Sequence, residues 1–157
     1  MLLVGPAQAA DTKASAQRKG SGLPIPRFAT LKSDEVNVRT GPGSRYPIDW
    51  VFKRKGMPVE IVAEYENWRK IRDWQGASGW VYQGLLTGKR SFIIPSKVAN
   101  LYKTPAASAE VIAKLEPEVM GEIRSCQGDW CRVKVSSVSG WLQRTEIWGV
   151  YKSEPVN

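Results

Sequence analysis

Val36-Asn37-Val38-Arg39-Thr40-Gly41-Pro42 lies over Ala99-Asn100-Leu101-Tyr102-Lys103-Thr104-Pro105, 63 residues further on. The match continues downstream. Glu60-Ile61 lies over Glu122-Ile123, Trp68 over Trp130, Ile71 over Val133, and Ser78-Gly79-Trp80-Val81 over Ser139-Gly140-Trp141-Leu142. The offset stays between 61 and 63 residues, so the connecting loops hardly differ in length. A period of that size means one small supersecondary unit built twice, not one large domain.

Each unit reads as β. Short runs of Val, Ile, Trp and Tyr are separated by Gly, Pro, Asn and Asp clusters. Residues 59–65 alternate, Glu66-Asn67 is a tight turn, and Trp68-Arg69-Lys70-Ile71-Arg72 returns as a strand. Trp68 and Ile71 are out of phase by one, so a bulge between them is expected to turn both inward. Trp68, Trp80, Trp130 and Trp141 recur in both units and are assigned to core packing, with Trp68 against Trp80. No stretch has helical periodicity. Closely spaced antiparallel strands in a unit of this size predict a small barrel.

The remainder of the 157 residues narrows the function. There is no histidine, which excludes Ser-His-Asp and Cys-His nucleophile systems and imidazole-ligated zinc sites. No apolar run reaches the ~20 residues of a membrane span. The carboxylate neighbours Glu64 and Glu66, Asp34 and Glu35, and Glu116 and Glu118 read as solubilising residues on strands and turns. A glycosidase pair would need two walls of a deep cleft. No cofactor is expected, and the chain reads as non-enzymatic.

Ala7-Gln8-Ala9 fits the small-x-small rule of a signal-peptidase site. The opening residues therefore read as the tail of a secretory signal whose start lies upstream, which predicts a periplasmic or secreted protein. Asp11 to Pro26 read as a flexible leader. Cys126 and Cys131 flank Gln127-Gly128-Asp129-Trp130 at the neck of an expected hairpin, within bonding reach. A bridge there suits an oxidising compartment, and two free thiols are the alternative.

The formal net charge of +8 is concentrated in residues 36–90, which carry +5. Lys53-Arg54-Lys55 and Arg69-Lys70-x-Arg72 are its local clusters. They form either a solvated basic face or a surface for acidic partners. Trp74, in the turn Arg72–Gly76, is the tryptophan expected to be exposed, as a ligand platform or as a contact between the units.

Taken in order, Val36-Asn37-Val38-Arg39-Thr40-Gly41-Pro42-Gly43-Ser44-x-Tyr46, Lys55-Gly56-x-x-Val59-Glu60-Ile61, Asn67-Trp68-x-x-Ile71-Arg72 and Gly79-Trp80-Val81 resemble the bacterial SH3 (SH3b) domain. The second unit keeps Asn100-Leu101, Pro105, Asp129-Trp130-x-x-Val133 and Gly140-Trp141, but has Tyr102-Lys103-Thr104-Pro105-Ala106 where the first has Arg-x-Gly-Pro-Gly. The resemblance implies an all-β chain: two tandem small SH3-like β-barrels, at 30–90 and 91–157, after a leader at 1–29. Gly41 and Gly43 are expected to supply positive φ in the first loop, stiffened by Pro42 and Pro47. The resemblance also implies binding of a cell-wall peptide or an envelope protein. The expected groove lies between the Arg39–Tyr46 loop and the Trp80/Tyr82 strand, with Arg39, Arg45, Lys53 and Arg54 as cations and Tyr46, Trp74, Trp80 and Tyr82 as aromatic contacts. A protein–protein adaptor without cell-wall affinity is the alternative. A basic single-stranded nucleic-acid binder is a further one that export disfavours, so no nucleic-acid partner is expected. Oligomeric state is not legible.

Overall fold

The computed structural model describes residues 20–157. The expected signal remnant and most of the leader lie outside them. Two antiparallel sheets follow one another along the chain. The first contains β1 (Arg27–Leu31), β2 (Val36–Arg39), β3 (Ile48–Phe52), β4 (Pro58–Tyr65), β5 (Trp68–Arg72), β6 (Ser78–Tyr82) and β7 (Leu86–Thr87), in the order β3-β2-β6-β5-β4-β1-β7. The second contains β8 (Ser91–Ile93), β9 (Ala99–Tyr102), β10 (Val111–Leu115), β11 (Met120–Gln127), β12 (Trp130–Val135) and β13 (Val138–Gln143), in the order β10-β9-β13-β12-β11-β8. β2–β6 correspond to β9–β13 at the offset seen in the sequence, and a 3-10 turn closes each set, at Gln83–Leu85 and Arg144–Glu146. The fold is two tandem SH3-like barrels.

The cores are mainly aliphatic, with Phe92 the one aromatic ring among the fully buried side chains of the described residues. Val36, Val38, Val59, Ile61, Ile71 and Val81 are buried in the first barrel, and Phe92, Leu101, Ile123, Val133 and Leu142 in the second. The four repeated tryptophans are not among them: each is only half-buried. β5 runs without a bulge, so Trp68 faces outward with Lys70 while Arg69 and Ile71 face inward. The irregularity sits in the partner strand, between Ile61 and Ala63, and recurs between Ile123 and Ser125. The expected bulge was thus on the wrong strand. Nor do Trp68 and Trp80 stand opposite one another: Trp68 pairs with Tyr82 and Trp80 with Lys70.

The hairpin interiors show how the two barrels diverged. Cys126 and Cys131 are register partners and form a disulfide, buried in the second core. Glu64 and Arg69 are the register partners at the same place in the first barrel, 3.5 Å apart and both buried. Glu64 was expected to be a surface residue. Burying it is tolerable because every side of it is answered. Arg27 lies at 2.6 Å, and Ser21 donates both its N–H, at 2.8 Å, and its hydroxyl, at 2.6 Å. Ser21 and Arg27, read as leader, are therefore part of the first barrel. The hairpin carbonyls need a donor in both units. Arg69 supplies it in the first, donating to Glu66 and Trp68. In the second, Arg144 does so from beyond β13, donating to Gly128 at 2.9 Å.

The barrels meet along a seam. Phe28 of β1 packs between Trp148, edge-on at 5.0 Å, and Tyr151 at 4.5 Å. Thr30 donates its hydroxyl to the Lys89 carbonyl and bonds the Ser91 hydroxyl at 2.6 Å. Arg90 makes a bidentate pair with Glu154, at 2.7 and 2.8 Å, and lies over the Phe28 ring. Trp148, not Trp74, is the tryptophan of the contact.

Candidate functional site

The first barrel presents an aromatic and cationic face on β2, β6, β5 and β4. Period-two alternation places Arg39, Trp80 and Lys70 side by side across three strands, because Arg39 pairs with Trp80 and Trp80 with Lys70. The next row is Tyr65, Trp68 and Tyr82, again register partners. Trp68 and Tyr82 meet edge to face at 5.9 Å, a favourable geometry for two rings. Tyr65 and Tyr82 are each nearly half exposed, at 48% and 46%.

A stapled loop borders this face. The Arg39 guanidinium donates to the carbonyls of Ser44 at 3.0 Å and Tyr46 at 2.9 Å, and Thr40 donates its N–H to Pro47. Neither Gly41 nor Gly43 takes a positive φ. They are needed for room instead. The Tyr46 ring lies where a Gly41 Cβ would be and 3.3 Å from a Gly43 Cβ. Arg45 covers that ring, its guanidinium carbon 5.4 Å from the centroid. A cation over an aromatic face keeps both groups oriented while leaving them accessible.

Of the eight residues expected to form the groove, the structure brings together Arg39, Arg45, Tyr46, Trp80 and Tyr82. It does not bring Lys53, Arg54 or Trp74. Lys53 and Arg54 follow β3 at its far end, next to Phe52, whereas the stapled loop joins the near end at Ile48. Arg54 is also committed elsewhere, donating to the Glu118 carbonyl of the second barrel at 2.8 Å. Trp74 is half-buried against the first core, in a turn held by the Asp73 carboxylate, which accepts from the N–H groups of Gln75 and Ala77. Tyr65, Trp68 and Lys70 belong to the face and were missed. Strict alternation from Trp68 through Arg72 would have found the last two.

The second barrel answers differently. Tyr102 takes the place of Arg39 and packs edge-on against Trp130 at 5.5 Å. Gln143 replaces Tyr82. In the first barrel the Tyr82 ring rests on Gly84. Beside Gln143 a recess of about 670 Å³ stays open, walled by Trp130, Ile147 and Val150. The second barrel, which had lost the first loop's motif, thus keeps a concave surface.

The model of the bacterial SH3 domain matches this chain twice, at residues 32–88 and 96–149. The chain belongs to the bacterial SH3 domain family. Among curated proteins, this SH3 pair is 28% identical over 125 residues to YrvJ of Bacillus subtilis (strain 168), named as an N-acetylmuramoyl-L-alanine amidase. That match covers 73% of the chain and 24% of YrvJ. Among solved structures it aligns with NlpC2 from Trichomonas vaginalis at 12% identity and a TM-score of 0.37, covering 81% of this chain and 49% of that one. It aligns also with an NlpC/P60 family protein from Bacillus cereus ATCC 10987 at 16% identity and a TM-score of 0.35, covering 80% and 57%. The chain spans about a quarter of the curated relative's length and about half of the two solved chains. Among its described residues no helix is long and apolar enough to cross a membrane.

Proposed function

We propose that this tandem SH3 protein is a non-enzymatic binding module of the cell envelope, periplasmic or secreted, that holds peptidoglycan stem peptide or an envelope protein on the first barrel. One observation carries the reading: the row Arg39–Trp80–Lys70 beside Tyr65–Trp68–Tyr82, bordered by the Arg39-stapled loop. Aromatic faces give contact area at little entropic cost, and the cations direct hydrogen bonds to carboxylates such as those of stem peptides. The relative named as a muramoyl-alanine amidase favours a ligand from the same material. The disulfide agrees with an oxidising compartment.

Sedimentation with purified sacculi tests this. Retention at low salt that falls several-fold in Tyr82→Ala and Trp80→Ala supports it. Retention indifferent to both substitutions removes this face from the proposal. An adaptor reading draws on the exposed Ile48 and Val51 of the edge strand β3. It predicts no sacculus retention and stable co-purification of one envelope protein.

A further inference from the structure

Lys32, Lys55, Lys89 and Arg90 border one cleft of about 580 Å³ along the seam. Lys32 follows β1, Lys55 precedes β4, Lys89 and Arg90 belong to the linker, and Met120, Gly121 and Glu122 of β11 close the far wall. Backbone bonds fix the first three. Gly56 donates its N–H to the Leu31 carbonyl at 2.9 Å, Lys32 donates to Leu85 at 2.9 Å, and the Lys89 carbonyl accepts the Thr30 hydroxyl. The cleft exists only because the barrels are docked. It lies at the opposite end of the β2–β3 hairpin from the stapled loop, so it is separate from the aromatic face.

Its electrostatics are unbalanced. Among the described residues none of the three lysines has an ion-pair partner. The carboxylate on the lining, Glu122, is paired with Arg124 at 2.9 Å. Arg90 turns its guanidinium away from the cleft, to Glu154, the Gly149 carbonyl and the Phe28 ring, so the three lysines supply the charge there.

We propose that this cleft is an anion site that takes a phosphate group. Three ammonium groups are compact point charges without the planar fork that suits a carboxylate. They match a tetrahedral phosphate, which offers oxygens in several directions at once. The phosphate is either carried on a soluble or polymeric sugar or presented as a lipid headgroup.

The test is a titration of the ¹⁵N-labelled full chain with inorganic phosphate at constant ionic strength. Saturable shifts are expected at the amides of Lys32, Lys55, Gly56 and Lys89. A Lys55→Gln/Lys89→Gln variant should bind at least tenfold more weakly, while Lys103→Gln/Lys114→Gln, outside the cleft, binds as the native chain does. Acetate should bind at least tenfold more weakly than phosphate. Two further arms separate the sources. Retention on phosphatidylglycerol vesicles that is lost in the cleft variant assigns a lipid headgroup, and saturable binding of glucose 6-phosphate without vesicle retention assigns a sugar-borne one. Absence of saturable shifts at these positions, shifts that survive the double substitution, or equal binding of acetate overturns the proposal. All variants are surface lysines, and an unchanged melting temperature verifies that each is folded.

Discussion

The phenol of Tyr151 donates a hydrogen bond across the seam to the buried carboxylate of Glu60, at 2.7 Å. Glu60 is also paired with Arg72 on the neighbouring strand. One carboxylate therefore joins the side wall of the first barrel to the tail that follows the second. The Tyr151→Phe variant keeps the ring against Phe28 and removes only this bond. It should cost about 1–3 kcal/mol, the usual penalty for a buried acceptor that loses its donor. Urea denaturation measures the loss, and faster proteolysis at Gly88–Arg90 would locate it at the seam.

The same phenol predicts an alkaline limit. Burial pushes the Tyr151 hydroxyl above its ordinary value of 10.0, and the bond and charge of Glu60 push in the same direction. A raised folded-state value means the unfolded chain ionises first. The contribution is whole below pH 10 and is lost as pH climbs towards the folded-state value. Melting temperature should therefore fall more steeply above about pH 10 in the native chain than in Tyr151→Phe.

Acid should act on the other two anchors. Burial works against ionised Glu64, but the bonds from Ser21 and Arg27 outweigh it and hold the carboxyl below 4.5. Burial likewise opposes Glu154, and Arg90 and the Tyr151 N–H outweigh it. A lowered value in the folded state gives stability that is complete above the ordinary carboxylate range and disappears as pH falls through the folded-state value. Melting temperature should hold from pH 7 to about 5 and then drop. Glu64→Gln should flatten part of that drop and, with a single acceptor oxygen left, keep only one of the two Ser21 bonds, seen as reduced amide protection there.

Reduction should weaken only one barrel. The loop closed by Cys126 and Cys131 is short, so the bridge contributes about 2 kcal/mol in the chain-entropy model. Dithiothreitol, or Cys126→Ser with Cys131→Ser, should lower the unfolding free energy by at least that amount, read from urea denaturation. Amide signals of β11 and β12 should shift while those of β4 and β5 stay in place.

Core and face can be told apart by substitution. Ile71→Ala removes a fully buried side chain and should cost about 2–5 kcal/mol. Trp68→Ala loses an outward ring and its contact with Tyr82, worth about 1 kcal/mol. It should leave the barrel folded, as circular dichroism and thermal melts will report, while reducing sacculus retention.

The repeat, the strands, the tight hairpins and the cysteine pairing were legible because each depends on local chemistry: period, turn residues and spacing. The orientation of the tryptophans was not. Composition favours large aromatics inside, but β5 alternates without interruption because the bulge falls at Val62 on β4, and that turns Trp68 outward. Glu64 read as a surface residue because nothing local announces Arg27, Ser21 and Arg69 gathered around it. Lys53 and Arg54 are near the loop in sequence, but the length of β3 separates them from it. The seam of Phe28, Trp148 and Tyr151 joins residues more than a hundred positions apart, and no pattern in the chain encodes that.

The source of the guanidinium beneath each hairpin has a consequence for how the halves can evolve or be engineered. Exchanging β4–β5 for β11–β12 would bring a disulfide into the first half and strip away Arg69, while position 83 there offers only glutamine. The turn carbonyls would be left without their donor. The reciprocal graft would crowd Arg69 and Arg144 around a single acid. Kinship of outline thus does not make the two halves a source of spare parts for one another; a workable chimera must carry the residue after β6 or β13 together with the hairpin it serves.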